Sequence, residues 1–109
     1  MRRQFIIILA TCSSRIEAKG ICRALLAKRL VACASTISGV KSLFWWKGKI
    51  DRAKETLVIL KTKDKNFSAV EKEIRRLHSY DVPEVIALPI IAGSKKYLNW
   101  IDLSIKKQK

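Results

Sequence analysis

The hydrophobic pattern near the N-terminus changes from a continuous run to a helical repeat. Residues 5–10 are all apolar, and three of them are isoleucine, which is typical of a central strand covered on both faces. Ser14 and Glu17 then have the spacing of a helix-capping box. The helix that they predict has an apolar face formed by Ala18, Ile21, Cys22, Leu25, Leu26 and Leu30.

The centre of the chain has the pattern of a long β-hairpin. Residues 33–46 are predicted to be extended, with a bend or bulge at Gly39. The triplet Lys47-Gly48-Lys49 has the composition of a turn, and the apolar residues 56–60 form the returning strand.

The C-terminal part alternates between helix and strand once more. A second helix is predicted after Asp64, and Pro83 prevents it from continuing. Residues 85–88 form a fourth strand that ends at Pro89, and Gly93-Ser94 begins a last helix. The apolar positions of the two helices are Phe67, Val70, Ile74 and Leu77, and Tyr97, Leu98, Ile101 and Ile105.

The element order is therefore β-α-β-β-α-β followed by a helix. This order predicts an α/β (α+β) fold, a ferredoxin-like βαββαβ sandwich with a long hairpin and a C-terminal helix. The length of 109 residues fits one domain. We expect that domain to span residues 1–109.

Composition changes this picture mainly through charge. The chain has 23 Lys and Arg against 9 Asp and Glu, a formal net charge of +14, which favours contact with anions. The basic residues are spread along almost the whole chain, so a solvated basic surface is preferred and nucleic acid is the least favoured partner. No apolar run approaches the roughly 20 residues of a membrane span, and no membrane insertion is expected.

The N-terminus and the cysteines bear on the cellular compartment. Residues 1–10 superficially resemble a signal peptide, but the apolar run is six residues long and helical patterning follows it at once. Intrachain pairing of Cys12, Cys22 and Cys33 would leave one thiol free, and neither interval is a CxxC motif. We therefore expect a cytoplasmic protein with reduced thiols.

Aromatic residues near the hairpin tip indicate an oligomer. Successive strand residues point to opposite faces, so Phe44 and Trp46 lie on one side, and Leu43 and Trp45 on the other. A helix layer covers only one face of the sheet in this fold, so these side chains need other cover. Either Phe44, Trp45 and Trp46 lie in a subunit interface, or the C-terminal helix folds over them within one chain.

The loop at residues 78–84 is the strongest candidate site. It carries an imidazole, a phenol and two carboxylates, from His78, Tyr80, Asp81 and Glu84, which can bind a metal or a small polar molecule. A structural role explains the same residues equally well, because His78 can interact with a helix C-terminus and the carboxylates can organise the turn around Pro83.

Cys12 is the second candidate. It follows the first strand and precedes a helix N-terminus, a position that can lower a thiol pKa and make the thiolate available to a metal. The chain has no glycine-rich phosphate loop, HExxH or GxSxG motif. These observations predict a protein that is not an enzyme.

Short motifs over nearly the whole chain match one protein family in order. They are Thr11-Cys12, Arg29-Leu30-Val31-Ala32-Cys33-Ala34, Trp45-Trp46-Lys47-Gly48-Lys49-Ile50, Glu55, Lys61-Thr62, His78-Ser79-Tyr80-Asp81-Val82-Pro83-Glu84, and Gly93 with Tyr97-Leu98-Asn99-Trp100-Ile101. In these motifs the chain resembles the CutA family of divalent-cation tolerance proteins. The resemblance implies a homotrimer of ferredoxin-like subunits, assembled like the nitrogen-regulatory PII proteins, and a role in tolerance of copper and other divalent ions.

The implied copper site of some family members is incomplete in this sequence. That site uses a cysteine late in the first strand and two adjacent histidines. Ala10 and Leu77 stand at the positions of the cysteine and one histidine, so only His78 matches, and Cys12 comes two residues after Ala10. A three-ligand site therefore does not carry over intact.

Two hypotheses follow. The first is a non-enzymatic, homotrimeric metal-tolerance protein that binds a divalent metal ion, with His78, Cys12 and Glu84 as ligands. Thiolate and imidazole favour copper over magnesium or calcium. The second is a PII-like regulatory module that binds a small anion or nucleotide in clefts between subunits, with Lys61, Tyr80 and Glu84 lining each cleft.

Overall fold

A computed structural model of the protein describes residues 5–106. In this part of the chain the elements follow the predicted order. They are β1 (Phe5–Cys12), α1 (Arg15–Ala27), β2 (Cys33–Trp46), β3 (Lys49–Lys63), a short 3-10 turn (Asp64–Asn66), α2 (Phe67–Leu77), β4 (Val85–Pro89) and α3 (Lys95–Ser104).

The four strands form one antiparallel sheet in the order β2-β3-β1-β4. In the centre of the sheet Ile8 lies opposite Leu60 of β3 and Ala87 of β4. The two strands joined by α1, β1 and β2, lie on either side of β3. The two strands joined by α2, β3 and β4, lie on either side of β1, as in a ferredoxin-like sandwich. The predicted fold class is confirmed.

The core lies between one face of this sheet and helices α1 and α2. Alternate residues of β1, including Ile8, Ala10 and Cys12, are fully buried on that face. Val70 and Ile74 of α2 pack into the same cluster. One predicted core position is wrong: Leu26 is 41% exposed, because it lies at the edge of the apolar stripe in the last turn of α1.

The hairpin of β2 and β3 contains a β-bulge and a tight turn. Ile37 pairs with Leu57 and Val40 with Glu55, so β2 has one extra residue there. Gly39 has a φ of +76° at this point, as the predicted bend requires. At the tip, Lys47 and Gly48 both have positive φ, which is the backbone of a two-residue type I′ turn.

Helix α3 covers only part of the opposite sheet face. Its Ile101 is fully buried, and the Lys63 Nζ atom is 2.7 Å from Asp102 Oδ1. Ile86 and Leu88 of β4 remain about half exposed on this face. Trp45 at the hairpin tip is 72% exposed, so one chain alone does not cover the hairpin aromatics. The described helices are all too short or too polar to cross a membrane.

Candidate metal centre and adjoining cleft

Cys12 is the last residue of β1, and its side chain lies on the face covered by α1. The side chain is fully buried, and burial, followed by the nearby Glu17 carboxylate, raises the pKa of the thiol from 9.0 to about 12. The expectation of a lowered pKa is therefore wrong. The strand continues through Cys12, so desolvation outweighs any effect of the helix N-terminus.

Glu17 lies in the first turn of α1 and connects two loops. Its Oε1 atom accepts hydrogen bonds from the Ser13 amide at 3.0 Å and the Ser13 hydroxyl at 3.1 Å, and its Oε2 atom accepts one from the Ser79 amide at 2.8 Å. Burial alone would raise the pKa of this carboxyl, but the hydrogen bonds from Ser13 and Ser79 lower it below its usual value. The Glu17 carboxylate is therefore charged and fixed in position by these hydrogen bonds.

His78 follows the last residue of α2, and its side chain is fully buried. The Nε2 atom is 2.7 Å from the Thr11 carbonyl oxygen, and Nδ1 accepts a hydrogen bond from the Tyr80 amide at 3.0 Å. These partners assign the neutral tautomer with the proton on Nε2, because Nδ1 acts as an acceptor. The imidazole thus connects the end of β1 to the α2–β4 loop.

Cys12, Glu17 and His78 form a compact donor cluster. One thiol sulfur, one carboxylate oxygen and one imidazole nitrogen all lie within 4.8 Å of one another, and His78 Nδ1 is 3.8 Å from Glu17 Oε1. Sulfur, nitrogen and oxygen donors at such separations can converge on one metal ion after small movements. Glu17 was missed as a ligand in the sequence because its capping-box role already explained it.

Tyr80 connects the donor cluster to a larger cleft. Its hydroxyl donates a 2.8 Å hydrogen bond to Glu55 Oε2 on β3, and its ring lies against that of His78, with centroids 4.7 Å apart. Burial and this bond raise the pKa of Tyr80 to about 12. The cleft has a volume of about 780 Å³ and lies between the hairpin and the α2–β4 loop.

Carboxylates dominate the charged lining of this cleft. Asp51, Glu55, Asp81 and Glu84 contribute four acidic groups, and Arg52 is the one basic residue among those that line it. The lining therefore favours cations over anions. The apolar walls on the hairpin side are supplied by Leu43, Phe44, Trp45 and Trp46.

The structure separates two of the residues predicted for these sites from their expected partners. Glu84 is exposed and lines the cleft, but it is not in the donor cluster with Cys12 and His78. Lys61 is six residues from Glu55 on β3, roughly 20 Å along the strand, and its Nζ atom lies 5.5 Å from the Tyr97 ring centroid. The position of Lys61 along β3, which the family resemblance does not reveal, keeps it away from Tyr80 and Glu84.

Comparison with known proteins shows which family the chain belongs to. Residues 6–104 match the family model described as CutA1 divalent ion tolerance protein. This chain belongs to the CutA1 divalent ion tolerance family. The divalent-cation tolerance protein CutA of Archaeoglobus fulgidus is 42% identical over 91% of this chain and 96% of its own length. The chloroplastic protein CutA 1 of Oryza sativa is 35% identical over 94% of this chain, which spans 58% of the rice protein.

Solved CutA structures match the fold closely. The Archaeoglobus fulgidus protein superposes with a TM-score of 0.91 at 40% identity, over 94% of this chain and 99% of that one. CutA1 from Oryza sativa superposes with a TM-score of 0.92 at 34% identity, over 96% of both chains. These CutA structures confirm the family resemblance predicted from the motifs.

The expected cytoplasmic location is contradicted by the same relatives. The Archaeoglobus fulgidus structure is described as a periplasmic protein, and the rice and Arabidopsis thaliana relatives are described as chloroplastic. Free thiols and a short apolar N-terminal run do not fix a compartment, because β1 accounts for that run equally well as a sheet strand. The expectation of a cytoplasmic protein is therefore wrong.

Proposed function

We propose that this CutA1-family chain is a non-enzymatic protein that binds a divalent metal ion, with copper as the favoured ion, at the cluster of Cys12, Glu17 and His78. The observation that supports the proposal is the approach of a sulfur, an oxygen and a nitrogen donor within 4.8 Å of one another. A thiolate with an imidazole favours copper or zinc over magnesium and calcium. Glu17 takes the oxygen-ligand role expected of Glu84.

The thiol of Cys12 sets the condition for binding. At neutral pH, ionising a thiol whose pKa is about 12 costs about 7 kcal/mol. Structural zinc sites release about 10–16 kcal/mol, so a thiolate-binding metal overcomes this cost and a hard ion does not. Each metal bound should therefore release a proton, and affinity should rise with pH.

The imidazole of His78 sets a second condition. Its Nδ1 lone pair accepts the Tyr80 amide hydrogen bond at 3.0 Å, and Nε2 is engaged by the Thr11 carbonyl. A metal on Nδ1 displaces the Tyr80 amide. Metal binding is thus coupled to a movement of the α2–β4 loop, which also carries the cleft residues Asp81 and Glu84.

We further propose that the chain acts as a homotrimer. The support is the exposed hairpin tip with Phe44, Trp45 and Trp46, and the half-exposed Ile86 and Leu88 on the open sheet face. Large exposed apolar patches are characteristic of subunit interfaces. Light scattering should give three chains per particle, and a stable monomer at micromolar concentration would refute the trimer.

The alternative of a small anion held by Lys61, Tyr80 and Glu84 is not favoured. The acidic lining of the cleft repels an anion, and the Lys61 side chain lies against Tyr97 rather than in the cleft.

Titration of metal-free protein with Cu²⁺ and Zn²⁺, followed by calorimetry, tests the metal site. Cys12→Ala and Glu17→Gln should weaken binding by about tenfold or more, because even the loss of a residue that only supports a metal ligand costs about 10- to 100-fold in affinity. Cys33→Ala is the matched control, because it also removes a thiol but lies outside the donor cluster. Equal affinity of the Cys12 and Cys33 variants would refute the proposed site.

A further inference from the structure

A second cleft, of about 460 Å³, is lined by the α1–β2 connection, the 3-10 turn and the end of α3. Its volume is within the range of small-molecule sites. Four cationic side chains, Lys28, Arg29, Lys65 and Lys106, line it, and none of its lining residues is acidic. Its charge is therefore opposite to that of the cleft beside Tyr80.

Arg29 occupies a backbone position that normally selects glycine. The Leu30 amide bonds to the Leu25 carbonyl and the Arg29 amide to the Leu26 carbonyl, each at 3.0 Å, which is the Schellman motif that ends a helix. Arg29 has a φ of +55° in this motif, a conformation that costs a non-glycine residue free energy. An arginine at this position indicates that its side chain makes an interaction that offsets this cost.

The guanidinium of Arg29 is held at the edge of the cleft. Its NH1 atom donates a 2.7 Å hydrogen bond to the carbonyl oxygen of Ser104 at the end of α3. A guanidinium has five N–H donors, and among residues 5–106 this is the one hydrogen bond that the Arg29 guanidinium makes. Asn66 is held beside it, because its Nδ2 atom donates to the Leu30 carbonyl at 3.1 Å and to Thr62 Oγ1 at 3.2 Å.

Nearby carboxylates neutralise only part of this charge. Lys28 pairs with Glu73 at 3.1 Å, and Lys106 Nζ is 3.8 Å from Asp102 Oδ2. Asp102 already binds Lys63 at 2.7 Å. The charge of Lys65 contributes more weakly than Lys63 to the lowered pKa of Asp102. Within residues 5–106, neither Arg29 nor Lys65 forms an ion pair.

We propose that this basic cleft binds a small anion of the di- or triphosphate class. A guanidinium with free donors matches two phosphate oxygens at once, and lysines add point charges around it. A single phosphate reaches only part of a lining supplied by three separate elements, whereas a chain of phosphates contacts several of the cations. The site is separate from the metal cluster and involves none of its residues.

Calorimetric titration of metal-free protein with inorganic phosphate, pyrophosphate and tripolyphosphate tests the proposal. Affinity should increase along this series, and adenosine triphosphate should bind like tripolyphosphate if the phosphates alone are recognised. Tighter binding of the nucleotide would assign the source as a nucleotide, and equal binding would assign it as free oligophosphate; both support the site.

Variants separate a built site from diffuse charge. Arg29→Gly suits the local backbone but removes the guanidinium, and Lys65→Gln removes one cation; each should weaken tripolyphosphate binding about tenfold or more, as expected when a charge-assisted bond is lost. Lys54→Gln is the control, because it makes the same charge change on the hairpin, outside the cleft. Equal weakening by all three variants, or no binding by the unaltered chain, would overturn the proposal.

Discussion

The alkaline stability of the chain should depend on Cys12. The unfolded thiol ionises with a pKa near 9.0, and the folded one with a pKa of about 12. Below pH 9 both states keep the proton, so the thiol favours neither. Above it the unfolded chain loses its proton first, and stability falls until the pH passes the folded pKa. At about pH 11 the loss from this one group is about 3 kcal/mol.

Urea unfolding of the reduced protein and of Cys12→Ala, at a fixed protein concentration and a series of pH values, measures this loss. Lysine deprotonation changes both proteins alike, so the difference between their free energies of unfolding isolates the thiol. The alanine variant carries a constant deficit for lost packing. The difference should shrink by about 3 kcal/mol from about pH 8 to about pH 11. A difference that does not change with pH would refute a buried, protonated Cys12.

Three further outcomes are expected from the same kind of measurement. Tyr80→Phe removes the 2.8 Å hydrogen bond to Glu55, so the free energy of unfolding measured in urea should fall by about 2 kcal/mol. An unchanged urea midpoint would show that this hydrogen bond does not stabilise the fold. Ser14→Ala removes the hydroxyl that accepts the Glu17 amide at 3.1 Å and should cost about 1 kcal/mol, measured by thermal unfolding. Hydrogen bonds from Arg76 and Lys28 lower the pKa of Glu73 from 4.5 to about 2. The stability from Glu73 is therefore present above pH 4.5 and lost as the pH falls towards 2, and Glu73→Gln should flatten this acid limb.

Local patterns predicted the order of the elements but not the length of every strand. Strand β3 was predicted over residues 56–60 because those residues are apolar, yet it begins at Lys49. Residues 49–54 are mostly polar, and they are extended because each pairs with a residue of β2, from Trp46 to Lys41. Cross-strand pairing imposes this structure, and a local pattern does not contain it.

The candidate site was only partly predictable for the same reason. His78 and Cys12 could be selected by residue type, and they lie together. Glu17 had a sufficient local explanation as a helix cap, whereas its bond to Ser79 spans 62 residues and depends on the packing of two loops. The pKa of Cys12 is raised because its side chain points to the buried face of the sheet. That orientation depends on where β1 ends.

The bulge at Gly39 joins two parts of the hairpin whose side-chain alternation is out of phase. Because β2 advances three residues there while β3 advances two, side-chain parity reverses beyond the bulge. Phe44 and Trp46 share a face with Glu55. The two-residue turn at Lys47 and Gly48 fixes this pairing from the hairpin tip, so Phe44 and Trp46 would keep that face even without the extra residue. The bulge instead bends β2 and increases its twist. A one-residue deletion at Gly39 would therefore change the direction in which the hairpin tip approaches the α2–β4 loop, and each aromatic side chain would keep its present face.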